Sequence, residues 1–297
     1  IPSHLLELIC RLVIRCLAKH LPARHEELVA LSAATGLCNA DDVARLQKSL
    51  GCQRELCFIP DPYPCDYESI EYNFASYNMA GTQIVCVTSQ SVFICEAKTG
   101  YIIQYLITGH ESTVSSASFN PGGDLIVTSF FDRPAHVWCV RTGECLQILE
   151  GHSDAVWTAS YSHDGERIVT SSDDGTVRVW NASTGECVRV LRHNDGTKFR
   201  SALYSPDDSM IVTAQGDIED GKWICKACIW DAGTGECRRM LKGHTDSVTS
   251  ASFSPDGSLV ATTLRDKTAR IWRVETGECI HILQGHKHWV RSAMFSP

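Results

Sequence analysis

Three residue types that can build a nucleophilic site recur together in this chain. His152, Thr170 and Asp174 offer a base, a hydroxyl and an orienting carboxylate, the set that a hydrolase triad combines. The same set returns at His110, Thr128 and Asp132 and at His244, Thr262 and Asp266, and each time a tryptophan (Trp138, Trp180, Trp272) stands six residues after the aspartate. A catalytic constellation is needed once, so its recurrence at fixed spacing points to structure. Residues 216–222, Gly-Asp-Ile-Glu-Asp-Gly-Lys, begin like a phosphate-binding loop. Trp223 replaces the required Ser/Thr, a strand follows where a helix should, and three acids would repel phosphate. Cys225 and Cys228 form a C-x-x-C, but strand alternation sends their thiols to opposite faces. His286 and His288 have neither a carboxylate nor a cysteine nearby in sequence. These patterns predict no catalytic residue, no cofactor and no metal.

The elements that carry these residues follow from a period. Gly-His pairs fall at 109–110, 151–152, 243–244 and 285–286, with Arg192-His193 in the same place, and successive histidines are 42, 41, 51 and 42 residues apart. Trp138, Trp180, Trp230 and Trp272 keep step, each followed four residues later by Thr-Gly-Glu-Cys. A fixed period near 42 marks a stacked array of supersecondary units. Within residues 243–283 the unit reads as four short strands. An apolar and small-residue run precedes the Ser-Pro-Asp-Gly turn, two β-branched runs flank Arg265-Asp266-Lys267, and Thr276-Gly277-Glu278 introduces the fourth. Such a unit must be covered by its neighbours, as radial blades are.

These motifs resemble those of the WD-repeat family of β-propellers, over roughly residues 70–297. The resemblance implies an all-β propeller of four-stranded blades, five complete with the start of a sixth, so that further repeats would be needed to close the ring. It also implies a buried network in each blade that joins the Gly-His histidine, a second-strand Thr, a turn Asp and the third-strand Trp. The matching positions are His110, Thr128, Asp132 and Trp138; His152, Thr170, Asp174 and Trp180; His244, Thr262, Asp266 and Trp272; and, without an aspartate, His193, Thr213 and Trp230. Indole only donates, carboxylate only accepts, and hydroxyl and imidazole do both, so the four can close a chain of hydrogen bonds.

Composition bounds the function. The 297 residues are 43% hydrophobic, enough for a sizeable core, and a net charge of −8 argues against general binding to nucleic acid or anionic membrane. Residues 1–60 hold seven Lys/Arg and six Asp/Glu, leaving 20 against 29, so the acidic excess belongs to the repeats. Fifteen cysteines, an odd number in a chain with no signal peptide, predict reduced thiols in an intracellular, cytoplasmic setting. Cys145, Cys187, Cys237 and Cys279 share one repeat position, where a small buried apolar side chain is expected.

In chain order, residues 1–54 carry an amphipathic pattern (Leu5, Ile9, Leu12, Cys16) that predicts a small helical segment, the tail of an upstream domain. Residues 55–69 read as a proline-rich linker with a possible ring-closing strand. The first repeat has Glu68, Cys86, Ser89 and Cys95 at the four network positions, and Cys86 and Cys95 are expected to face each other in an apolar pocket. The fourth repeat has seven extra residues between its second and third strands, read as an elongated acidic loop.

The function implied is a non-catalytic scaffold that holds partner proteins or peptides on the rim formed by loops after the second and fourth strands. Candidate contacts there are Phe131, Trp157, Asp173, Asp217, Glu219, Asp220, Trp223, Arg265, Lys287, His288 and Trp289, since Trp and Arg anchors commonly carry interface energy. The acids predict a partner with a basic, partly apolar surface. The alternative is the regulatory propeller of a larger signalling NTPase of the heterokaryon-incompatibility or apoptosome type.

Overall fold

The computed structural model describes residues 72–88, 91–106, 113–132, 134–193, 196–219 and 222–295. The expected helical segment 1–54, the linker 55–69 and His110 lie outside these residues. Twenty strands form five antiparallel four-stranded sheets. The first blade is β1 (Tyr72–Tyr77), β2 (Gln83–Thr88), β3 (Val92–Glu96) and β4 (Ile102–Leu106). The second is β5 (Val114–Phe119), β6 (Leu125–Phe130), β7 (Ala135–Cys139) and β8 (Cys145–Leu149), and the third is β9 (Val156–Tyr161), β10 (Arg167–Ser172), β11 (Thr176–Asn181) and β12 (Cys187–Arg192). The fourth comprises β13 (Phe199–Tyr204), β14 (Met210–Glu219), β15 (Lys222–Asp231) and β16 (Cys237–Leu241). The fifth comprises β17 (Val248–Phe253), β18 (Leu259–Leu264), β19 (Ala269–Arg273) and β20 (Cys279–Leu283). Each blade is a meander in which consecutive strands pair. Among the described residues no helix is long and apolar enough to cross a membrane.

The strands bury themselves in a graded way. β6, β10 and β18 are almost wholly buried, whereas β8, β16 and most of β20 are open to solvent. A sheet flanked by a sheet on each side has no solvated face, so its second strand must satisfy both. One face of β10 offers Ile168 and Thr170, the other Val169 and Ser171, and all four are buried. The core is divided among the seams between blades, one cluster each for the first and second, second and third, third and fourth, and fourth and fifth.

Hydroxyls on the first strands clasp each blade to the next. The backbone N–H of Ala159 donates to Ser116 Oγ (3.0 Å), that of Ala202 to Thr158 Oγ1 (3.2 Å) and that of Ala251 to Ser201 Oγ (3.2 Å). Small polar residues in otherwise apolar strands therefore have a defined partner, as buried polar groups require. After β20 the chain continues the pattern. Thr249 Oγ1 donates to the carbonyl of Val290 (2.6 Å) and Ser252 Oγ to that of Ala293 (2.8 Å), just as Ser115 Oγ donates to Val156 (2.6 Å).

Two expectations are corrected here. The seven extra residues of the fourth repeat are not a loop, because β14 and β15 stay paired from Met210↔Asp231 out to Glu219↔Lys222. Asp220-Gly221, left between them, is a preferred two-residue hairpin sequence. The cysteines after Thr-Gly-Glu are not buried: Cys145, Cys187 and Cys237 are exposed and Cys279 is half-buried. They begin the outermost strands, which no further strand covers among the described residues. Cys86 and Cys95 are neighbours as expected, although diagonal and not directly opposite, since Ile84 pairs Cys95 and Cys86 pairs Phe93. Both are buried, and the hydrogen bond with Cys86, together with burial, pushes the Cys95 thiol above its ordinary value.

Candidate partner-binding rim

The histidine sets are structural supports whose geometry differs between blades. In the third blade the chain is closed: Trp180 Nε1 donates to Thr170 Oγ1 (2.9 Å), His152 Nε2 lies 2.7 Å from the same hydroxyl, and His152 Nδ1 lies 2.8 Å from Asp174 Oδ2. Burial alone would raise the Asp174 carboxyl, but hydrogen bonds from His152 and Thr176 overcome it and hold it well below the carboxylate range. In the fifth blade Trp272 Nε1 donates to Thr262 Oγ1 (2.8 Å) and His244 Nε2 lies 3.1 Å away from that oxygen. The last link is missing there. His244 Nδ1 is buried without a partner, while Asp266 accepts from Thr245 Oγ1 (2.6 Å) and lies 3.8 Å from Arg270 Nη2. The expectation of a full network in every regular blade is thus corrected at His244–Asp266, where Thr245 and Arg270 capture the carboxylate. In the second and fourth blades the indole bond persists, Trp138 to Thr128 (2.8 Å) and Trp230 to Thr213 (2.9 Å). Asp132 is exposed. His193 Nε2 lies 3.4 Å from Cys228 Sγ. With their threonines fully buried beneath tryptophans, these sets present no hydroxyl to a substrate.

The rim residues fall into an equivalent place in each blade. Phe131, Asp173 and Arg265 follow their second strands, and their N–H groups donate to the carbonyls of Thr113, Ala155 and Ser247 just before the first strands. From there their side chains reach the next blade's first strand or their own. Phe131 packs edge-on against Trp157, with centroids 4.7 Å apart and planes at 77°. Trp157 Nε1 donates to Asp173 Oδ1 (2.8 Å), and the Arg200 guanidinium sits 4.2 Å over the indole while its Nη1 lies 3.3 Å from the same carboxylate. Lys198 Nζ lies 3.8 Å from Asp173 Oδ2. Three blades thereby build one aromatic and charged cluster, and each of its residues restrains another. A second pair stands at the end of the array, with Arg265 4.6 Å over the ring of Trp289, which is exposed along with Lys287 and His288.

The structure does not bring Trp289 to Trp157; each belongs to its own seam. Lys198 and Arg200 escaped the sequence reading. Arg200 occupies the repeat position of Ser115, Trp157, Thr249 and Arg291, immediately after the buried first-strand residue. The variety at that position was the available signal.

Gly216 takes the rim position held elsewhere by Phe131, Asp173 and Arg265. Beyond it β14 and β15 continue as a paired ribbon, which at about 3.3 Å per residue projects roughly 10 Å past the rim. Asp217, Glu219 and Trp223 belong to this extension, and Asp220 lies outside the described residues. A Cβ on Gly216 would lie 1.8 Å from Ser247 Oγ and 3.0 Å from Ser247 Cα, so the ribbon passes the fifth blade too closely for any other residue.

The fold and its buried Trp–Thr–His sets define a β-propeller blade array. Residues 102–139, 143–181 and 235–273 each match the family model for the WD domain, G-beta repeat, so these stretches are WD-type repeats. Each match begins on the outermost strand of one blade and ends on the third strand of the next, so the sequence repeat itself ties two blades together. The degenerate first blade and the ribbon-bearing fourth fall largely outside the matches. The chain is similar to the "Periodic tryptophan protein 2 homolog" of Schizosaccharomyces pombe, 37% identical over 59 residues, 19% of this chain and 7% of that one. It is also similar to the protein of the same name from Neurospora crassa, 38% identical over 66 residues, 21% of this chain and 7% of that one. The matched stretch thus spans a small fraction of those relatives. WD-repeat arrays are, as a class, scaffolds for protein interaction and generally non-catalytic.

Proposed function

We propose that this array captures a protein or peptide partner on the rim that carries Phe131, Trp157 and Asp173, with the β14–β15 ribbon as a second point of contact. The observation that carries the reading is the cluster itself. Trp157 is half-buried and fixed on three sides by Phe131, Asp173 and Arg200, and a ring already ordered loses little entropy when a partner covers it. The acids of residues 217–220, Asp217, Glu219 and Asp220, favour a basic and partly apolar surface, steering its approach by long-range attraction. No disulfide joins the cysteines Cys86, Cys95, Cys139, Cys145, Cys187, Cys228, Cys237 and Cys279, in keeping with a reducing, cytoplasmic setting.

Affinity capture from a cell lysate, followed by association kinetics with the captured partner, tests this. Trp157→Ala should weaken capture by tenfold or more, the effect of about 1.4 kcal/mol. Neutralising the ribbon (Asp217→Asn, Glu219→Gln, Asp220→Asn) should slow association at low salt and leave the melt within about 0.5 kcal/mol of wild type. Unchanged capture by both variants would remove this rim from the binding site.

A further inference from the structure

The fourth blade departs from the third and fifth at one position, Cys228, and the fold brings that thiol beside His193 and Cys237, whose counterparts recur in the other regular blades. Two residues before the third-strand tryptophan the third and fifth blades carry arginine. Arg178 Nη1 reaches to 4.0 Å from Cys187 Sγ, and Arg270 donates through Nη1 to the carbonyl of Gly243. This position therefore lies between the Gly-His turn and the outer-strand cysteine. In the fourth blade it is Cys228, and the Gly-His histidine is His193. The outer-strand cysteine, Cys237, is turned as in the other blades, with Sγ 3.7 Å from the carbonyl two residues on, against 3.5 Å for Cys145, 3.4 Å for Cys187 and 3.5 Å for Cys279.

The result is one nitrogen and two sulfur ligands within 4.8 Å of one another. Cys228 Sγ and His193 Nε2 are 3.4 Å apart. A tetrahedral zinc ion with Zn–S near 2.3 Å and Zn–N near 2.0–2.1 Å sets those atoms roughly 3.5 Å apart and two sulfurs roughly 3.8 Å apart. The imidazole is held by a stack on Phe199 (centroids 6.2 Å apart, planes at 12°) and a tilted contact with Trp230 (4.7 Å). A second observation points into the same spot. Gln215 is fully buried, its Oε1 lies 4.0 Å from Cys228 Sγ, and its Nε2 has no hydrogen-bond partner. Which amide atom faces the sulfur is an assignment; turned over, the amide offers an N–H to the sulfur, the outer contact that steadies a metal-bound thiolate. A disulfide fits less well. Cys228 pairs with Met240 and Cys237 with Trp230, and such diagonal neighbours have Cα atoms roughly 7–8 Å apart, beyond the usual disulfide span of about 4.4–6.8 Å.

We propose that His193, Cys228 and Cys237 bind a thiophilic divalent cation of the zinc type, with both thiols giving up their protons to solvent and an exchangeable ligand completing the tetrahedron on the exposed Cys237 side. This replaces the expectation, drawn from the C-x-x-C and from His286 and His288, that the chain has no metal site. Cys225 is not among the ligands.

Cobalt titration of the full chain, reduced and stripped with chelator, reads the site directly. One equivalent of Co²⁺ should give a thiolate-to-cobalt charge-transfer band with tetrahedral d–d intensity, and Zn²⁺ should displace it. Cys237→Ser, at an exposed position, should keep the far-ultraviolet spectrum of the folded chain, diminish the charge-transfer band and weaken zinc affinity by more than about tenfold, the lower bound for losing even an outer contact. Cys187→Ser, the equivalent change in the third blade, should leave both unchanged. No stoichiometric band in the wild type, an undiminished band in folded Cys237→Ser, or recovery of a Cys228–Cys237 disulfide by mass mapping of protein kept under reductant would each overturn the proposal.

Discussion

His152 and His244 occupy the same place in two blades and differ by a single bond. That bond decides how each blade meets acid. His152 has Asp174 at 2.8 Å; His244 has no partner at Nδ1 and has Arg270 nearby. Burial, reinforced by the Arg270 charge, lowers His244 from 6.5 to about 4. An unfolded chain would protonate this imidazole near pH 6.5 while the folded one resists until about pH 4. In that window the unfolded state holds the extra proton, so stability falls as pH falls, and the loss is complete below about pH 4. The two values are separated by the equivalent of about 3 kcal/mol. Asp174 acts in a different range, since its depressed carboxyl contributes stability that begins to be lost only as pH falls below the ordinary value of 3.8. Urea unfolding at pH 7 and pH 4.5 should therefore show His244→Gln losing about 2–3 kcal/mol less than wild type between the two. Parallel losses would show that another group controls this window. The four residue types at each network were legible from their spacing. The broken link was not, because Thr245 and Arg270 compete for Asp266 only once β18, β19 and the Gly-His turn are assembled.

At the scale of elements, strands and turns followed the sequence closely where the repeat is regular, because a β-branched run bounded by Ser-x-Asp-Gly or Thr-Gly-Glu has few other options. The fourth blade was misread for a physical reason. The seven extra residues, three of them acidic between two glycines, read as an elongated loop, whereas β14 and β15 stay paired through Glu219↔Lys222. Alternation along residues 217–225 is weak, since Ile218, Trp223 and Ile224 do not fall on one face, so an extended ribbon was not apparent. The glycine turns out to be steric. An added methyl at Gly216 would meet Ser247 Oγ at 1.8 Å and its Cβ at 2.7 Å, and Ser247 is buried. Gly216→Ala should destabilise by about 1–3 kcal/mol, the usual range for overpacking. Ser247→Gly in the same chain removes both offending atoms and should restore at least about 0.5 kcal/mol, a coupling expected of residues in contact. If the double variant is no more stable than the sum of the singles predicts, the ribbon does not lean on the fifth blade at this point.

For the array as a whole, the quantity that matters is what each blade presents to the next. The fourth residue after each outer-strand cysteine is a leucine, and the first blade has Leu106 at the equivalent place. Leu106, Leu149, Leu191 and Leu241 are 0–1% exposed, but Leu283 of the fifth blade is 51% exposed. The sequence gives these five leucines the same context, so their difference arises entirely from stacking. Leu241 packs in one cluster with Val248, Val260 and Trp272 of the fifth blade, whereas Leu283 has no such blade against it among the described residues. An array held by nearest-neighbour seams has a stability close to the sum of its seam terms, and identical substitutions should then have unequal effects. Leu241→Ala should cost about 2–5 kcal/mol, through lost transfer energy and the cavity left behind. Leu283→Ala, removing a side chain already half in water, should stay within about 0.5–1 kcal/mol. Equilibrium unfolding in urea of the two variants beside wild type makes the comparison in one experiment, each leucine serving as control for the other. Equal losses would mean that Leu283 is covered in solution, by a second copy of the chain or by residues beyond those described. A concentration series would then separate the two, because only cover by another copy shifts the midpoint with protein concentration.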